Sequence, residues 1–286
     1  VILNNCFFVN NPGKAVYASG TSIDMKNSLV SETESGVIVQ DGTLQVDNSW
    51  FQFIPDLNAD YTGEEHDALF VSSPSFGGAS TITGSKFNYI SDDAISAITA
   101  SWLKLEYLFI NNIGDKAITI NESPIDIRHI VVSNSPTGIS LRGDSRASID
   151  HSTFHENNVH LKSYSSADGS ASSEISVLNS ILSNSGSSNF VRDSDSKIEF
   201  EYSLSNRDEL TGIGNILAEP DFQDEEKGDY RLNSSSPAVD AGSPDSQYDN
   251  DGSRTDMGAF TGRETFSSVL VINEIMYAPQ IGGMAS

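Results

Sequence analysis

Apolar and polar residues alternate along this chain in short runs, and one phrase keeps returning: apolar, any, Asn-like, small, any, apolar. Clear copies are Leu3-Asn4-Asn5-Cys6-Phe7-Phe8, Met25-Lys26-Asn27-Ser28-Leu29-Val30, Val46-Asp47-Asn48-Ser49-Trp50-Phe51 and Ile149-Asp150-His151-Ser152-Thr153-Phe154. The third position falls at 5, 27, 48, 84, 107, 129, 151, 179 and 202, in steps of 21 to 23 residues wherever no insertion intervenes. A second apolar run follows each phrase, as at Gly36-Val37-Ile38-Val39, Ala68-Leu69-Phe70-Val71, Ala117-Ile118-Thr119-Ile120 and Gly138-Ile139-Ser140-Leu141.

These runs have the period of a strand, and they are too short and too β-branched for helices. No single unit can bury its apolar row. Stacking units ~4.8 Å apart turns each row into a continuous inner column. The pattern therefore predicts an all-β fold, a right-handed parallel β-helix with coils of 21 to 23 residues and three faces. One expected inner column is Leu3, Met25, Val46, Ile82, Leu105, Ile127, Ile149 and Val177. The other is Phe8, Val30, Phe51, Phe87, Ile110, Val132, Phe154 and Leu182.

With these repeats, residues 1–206 resemble the bacterial right-handed β-helix repeat proteins, a superfamily that holds both pectin-degrading enzymes and non-catalytic surface proteins. The period fails after Asn206. Pro220-Asp221-Phe222, Tyr230-Arg231-Leu232, Ser236-Pro237-Ala238-Val239-Asp240-Ala241-Gly242 and Asp256-Met257-Gly258-Ala259-Phe260 are similar to the ending of many secreted bacterial β-helix proteins, with Thr261 where Glu is usual. Residues 207–264 are accordingly expected to be a last coil and a cap over the open end, which would otherwise expose apolar cross-section and strand edges. In 265–286, Val269-Leu270-Val271-Ile272-Asn273-Glu274-Ile275-Met276-Tyr277 resembles the first strand of a lamin-tail domain. That resemblance implies a longer multidomain exported chain, of the kind that carries spore-coat-kinase-like modules.

Charge narrows the partners. Forty acidic residues face 16 basic ones, a net −24. Nucleic acid needs a basic surface that releases counterions, so it is excluded as a partner. Polyuronates are disfavoured too, unless a cation bridges two negative surfaces. Such acidity suits an exported, secreted or cell-surface protein kept soluble in salt or Ca²⁺. No apolar run is long enough to span a bilayer. The opening Val1-Ile2-Leu3-Asn4, without Met or a basic leader, reads as the start of a fragment. A lone Cys6 excludes an internal disulfide framework, and its alignment with Ser28, Ser49, Ser85, Ser152 and Ser180 makes it a small inward filler.

Two acidic groups hold the candidate chemistry. Asp67, Asp93 and Lys116 each precede the Ala that opens a second strand, and Asp92 and Asp115 sit one residue earlier. Successive coils should bring Asp67, Asp92, Asp93 and Asp115 to one turn, with His66 beside them and the insertion 52–65 leaving nearby. Glycoside hydrolysis needs one protonated and one ionised carboxyl at such a turn, and Ca²⁺ would take the same oxygens. Ser91-Asp92-Asp93 is similar to the Gly-Asp-Asp segment of polygalacturonase-like hydrolases, but Ser91 replaces the Gly and no Gly-His-Gly or Arg-Ile-Lys follows. Tyr61 and Trp102 are the aromatic residues close enough in sequence to stack on a sugar. The second group, Asp249, Asp251 and Asp256 with Asp240, suggests a Ca²⁺ site in the cap, or Asp-Gly turns. The stacked pair His129 and His151 lacks a third metal ligand at a fixed spacing, so the corner column reads as a turn-forming polar ladder.

Two functions stay open. One is a structural or carbohydrate-binding module of a large extracellular bacterial protein. The other is a polysaccharide-degrading enzyme working at the Asp92–Asp93 turn. A scarcity of basic residues there favours hydrolysis of a neutral glycan over uronate elimination, which needs a base and a cation.

Overall fold

A computed structural model describes residues 1–55, 66–73 and 77–261. The lamin-tail-like strand, Tyr61 and most of the 52–65 insertion fall outside the described residues. Within them the chain is a parallel β-solenoid. Nine short strands, from Ile2–Asn4 to Lys197–Glu201, stack as the first ladder. Two further ladders merge into one sixteen-stranded sheet, because the long strands Phe7–Ser19 and Leu29–Gln40 run across the corner between them. Every pairing in these ladders is parallel, and hydrogen bonds reach 21, 22 or 23 residues along the chain where coils carry no insertion.

Both inner columns form in the register that the pattern predicts. Leu3 pairs with Met25, Met25 with Val46, Val46 with Ile82, and the column continues through Leu105, Ile127, Ile149 and Val177 to Phe200. Phe8, Val30, Phe51, Phe87, Ile110, Val132, Phe154 and Leu182 make the second column. These side chains are almost wholly buried from Met25 onward. Phe51 and Phe87 stack inside at 5.0 Å.

Each corner is one residue in the left-handed conformation. Asn5, Asn27, Asn48, Gly84, Tyr107, His129, His151, Asn179 and Tyr202 turn the first corner with φ between 44° and 55°. Five residues later Asn10, Glu32, Phe53, Tyr89, Asn112, Asn134, Glu156 and Asn184 turn the second. A left-handed L-residue costs roughly 1–2 kcal/mol, least for Asn, which explains why Asn recurs. At the early coils the Asn side chains also bond to one another: Asn48 Nδ2 donates to Asn27 Oδ1 at 2.7 Å, and Asn27 Nδ2 to Asn4 Oδ1 at 3.2 Å.

The serine that follows six of the nine first-corner residues does more than fill space. Ser49 Oγ accepts the amide of Ser28 at 3.2 Å and donates to its own Asp47 carbonyl at 3.0 Å. Ser85, Ser180 and Ser203 repeat this pattern. Cys6 heads the column and uses its amide, donating to Ser28 Oγ at 3.1 Å. The corner thus satisfies an amide that the bend takes out of the ladder.

The C-terminal region corrects one expectation. Residues 207–217 finish the stack: Leu210 enters the main core, and Ile216–Leu217 extends the second ladder from Leu204–Ser205. The remainder, expected to cover the open end, instead lies along the flank. Phe222, Tyr230, Ala238, Met257 and Ala259 pack with the outward-facing Phe109, Val131, Ile181 and Leu204 of the second ladder. The cause is an outward column that is itself apolar and must be covered.

Candidate functional site

The turn that leads from the second ladder into the third carries the first acidic group. Parallel register fixes its members. Leu69 pairs with Ile95 and Ile95 with Ile118, so Asp67, Asp93 and Lys116, two residues earlier in each coil, form one column. Asp92 and Asp115 stand side by side in the neighbouring column, joined by Asp115 N donating to Asp92 O at 3.4 Å. One carboxylate oxygen from each of Asp92, Asp93 and Asp115 lies within 4.8 Å of the others. Among the described residues this is the one group of three His, Cys, Asp or Glu side chains that converges so closely.

Its members differ in environment. Asp67 and Asp93 are buried, Asp92 is half-buried and Asp115 is exposed. Asp93 accepts the Lys116 amide at 2.9 Å and the Thr119 hydroxyl at 2.5 Å. Burial pushes the Asp93 carboxyl up to about 6; the Thr119 bond and the Lys116 charge oppose the rise, and Asp92 and Asp115 add to it. The Lys116 ammonium bonds Asp115 and lies 3.5 Å from Asp93. Burial alone would lower this lysine, but the Asp115 bond and the surrounding carboxylates raise it above its ordinary value. The His66 amide donates to Asp92 Oδ2 at 3.3 Å, while its ring faces the Glu34 carbonyl. Chemically, the turn offers an excess of carboxylate, one held ammonium and one carboxyl pushed up to about 6.

Beside this turn is a feature that the sequence reading missed. Phe53 and Tyr89, both second-corner residues, stack at 5.2 Å and 5°. They are 48% and 51% exposed. The signal was available: five residues after each first-corner position the column holds Asn, Glu or, in the last coil, Arg207, and aromatic residues only here. Trp102, expected to serve as the platform, heads a first-ladder strand beyond the third corner.

The cap aspartates are placed differently. Asp249 accepts the Thr255 hydroxyl and the Asp256 amide, both at 3.0 Å. Asp251 accepts the amide and hydroxyl of Ser253, and Asp256 accepts the Asp240 amide at 2.8 Å. Their carboxylates shape turns. Under this segment Tyr107, His129 and His151 stack at 5.0 and 5.3 Å. His129 Nδ1 meets the Ala259 carbonyl at 3.2 Å and His151 Nε2 meets Thr255 Oγ1 at 2.9 Å. A cavity of about 310 Å³ remains there, lined by Arg128, His129, His151, Tyr248, Asp249 and Thr255 among others.

No family model matches the chain, and no curated protein matches it in sequence. Among solved structures it is similar to the crystal structure of pectate lyase Pel9A, with a TM-score of 0.61 over 89% of this chain and 69% of that one. The two are 14% identical, a likeness of fold.

Proposed function

We propose that this chain is a carbohydrate-binding β-helix module of an extracellular protein, and that it engages an acidic polysaccharide through a cation held at the Asp92–Asp93–Asp115 turn. The observation that carries the reading is the convergence of three carboxylates within 4.8 Å. Oxygens sharing one Ca²⁺ at ~2.4 Å stand up to ~4.8 Å apart, so the donor set fits that ion. Lys116 bonds Asp115 at this spot, and its ammonium must swing aside for a cation to enter. A divalent ion there would offset the surplus negative charge and accept a uronate carboxylate, which a surface of net −24 otherwise repels. The solenoid supplies a long flat flank for an extended glycan, and a solved neighbour of this fold is pectate lyase Pel9A.

A second reading has its own support. Asp93, pushed up to about 6, lies beside the exposed Asp115 and the Lys116 ammonium, and below pH 6 it pairs a protonated carboxyl with charged groups, as glycan cleavage uses.

Affinity electrophoresis through polygalacturonate tests both. Retardation is expected with Ca²⁺, and it should fall at least tenfold in affinity with chelator or with Asp92→Asn/Asp115→Asn. Equal mobility under all three conditions would refute the cation reading. Cleavage would appear as new reducing ends on the same polymer, with unsaturated ends if the reaction is elimination.

A further inference from the structure

We infer that Phe53 and Tyr89 form a sugar-stacking subsite that guides a pyranose chain across the second corner to the Asp92–Asp115 turn; the inference rests on the polysaccharide reading above and extends it. Three observations carry it.

The first is exposure, with no cover over the pair among the described residues. Each ring keeps one face against the other, at 5.2 Å, and about half of its surface in water. Contrast the parallel pair Phe51 and Phe87, two residues earlier in the same strands, which stacks at 5.0 Å and is fully buried. The inner pair is explained by the core. The outer pair buries too little to be explained that way.

The second is backbone conformation. Phe53 and Tyr89 adopt φ of 50° and 56°, a region that suits Asn and disfavours bulky side chains. Other coils place Asn10, Asn112, Asn134 and Asn184 at this corner, or the long polar Glu32 and Glu156. Only the Phe53 and Tyr89 coils put flat rings at this corner, against its preference for Asn.

The third is position. Tyr89 is three residues before Asp92. Ser91 donates both its amide and its hydroxyl to the Ile54 carbonyl, at 2.9 and 3.0 Å, tying the Phe53 and Tyr89 coils together where Asp92 departs. A platform and a charged turn thus share one rigid corner. Pyranose rings carry an apolar C–H face that packs on an aromatic ring, while their hydroxyls and carboxylates need polar partners; this corner offers both.

The experiment uses Phe53→Asn, Tyr89→Asn and the double variant. Asn suits the left-handed corner, so these changes should leave the melting temperature equal to or above that of the native protein. Binding is read by affinity electrophoresis through polygalacturonate with Ca²⁺, and separately through a soluble neutral β-glucan. Affinity for whichever polymer retards the native protein should drop about five- to tenfold for each lost ring, and Tyr89→Phe should restore it. Variants retarded as strongly as the native protein would overturn the subsite even while the polysaccharide reading stands. A native protein retarded by neither polymer overturns both. Retardation by the neutral glucan alone, lost in the double variant, supports the subsite and overturns the cation reading.

Discussion

Two aromatic stacks stand on the first and second corners of different coils and meet different surroundings. At the first corner His129 and His151 lie beneath the C-terminal segment, bonded to Ala259 and Thr255, and Tyr107, 40% exposed, ends the stack. At the second corner Phe53 and Tyr89 are 48% and 51% exposed, with no such bond among the described residues. Backbone geometry is nearly the same in both: one left-handed residue per coil, rings about 5 Å apart. The solenoid therefore builds the stack, and what lies over it decides its use. Covered rings become a fastening for the flank segment. Open rings become a surface.

The largest change to this comparison comes from removing the cover. Met257 is fully buried against the second ladder. Met257→Asp places a charge in that apolar contact and should cost about 4 kcal/mol. Limited proteolysis should then cut within 218–261 while the early coils stay protected, because solenoid coils depend on their neighbours alone.

Acidification attacks that cover through His155 and the coil beneath it through His160. Burial pushes His155 down to about 4 and His160 down to about 3. Glu156 and Glu225 lie 3.8 and 3.7 Å from His155, yet both carboxylates are half in solvent and burial prevails. Both histidines fold neutral, so their stabilisation is full above pH 6.5 and is lost as pH falls toward the folded values. By pH 4 each should have lost roughly 3 kcal/mol. His155 packs on Phe222 and Tyr230 of the flank segment, so His155→Gln should flatten the acid limb of a melting-temperature profile.

The smallest effect is the sharpest comparison. One substitution, ring to Asn, can be made on each corner. His129→Asn loses a stacked ring and the bond to Ala259, and should cost about 1 kcal/mol. Tyr89→Asn loses only an exposed contact and relieves the backbone, so chemical denaturation should place it within about 0.5 kcal/mol of the native protein. Equal losses at both corners would erase the distinction.

Much of this was legible from the chain alone, for a physical reason. In a parallel stack one register error moves every side chain to the wrong face, so a consistent 21–23-residue phrase admits a single alignment. That alignment placed Asp67, Asp93 and Lys116 in one column and Asp92 beside Asp115. Three features escaped. Serine after the corner was read for its size, while its hydroxyl bonds depend on a bend that periodicity does not describe. The course of the flank segment followed from the outward column of Phe109, Val131, Ile181 and Leu204, which was hidden behind attention to the inward one. Phe53 and Tyr89 were not singled out, because the second corner has no small-residue signature like Asn-Ser at the first.

The repeating register has a mechanical consequence. Since each strand bonds to the coil one turn away, the chain is wound like thread on a spool, and tension on its ends would peel it a coil at a time. Each early coil holds about 22 residues and would release ~70 Å of chain for the breaking of one coil's bonds. Between Phe109 and Ile216 the flank segment laces several coils together. That part would resist until the lacing parted and then run out at once, so the molecule is a compliant tether at one end and a locked one at the other.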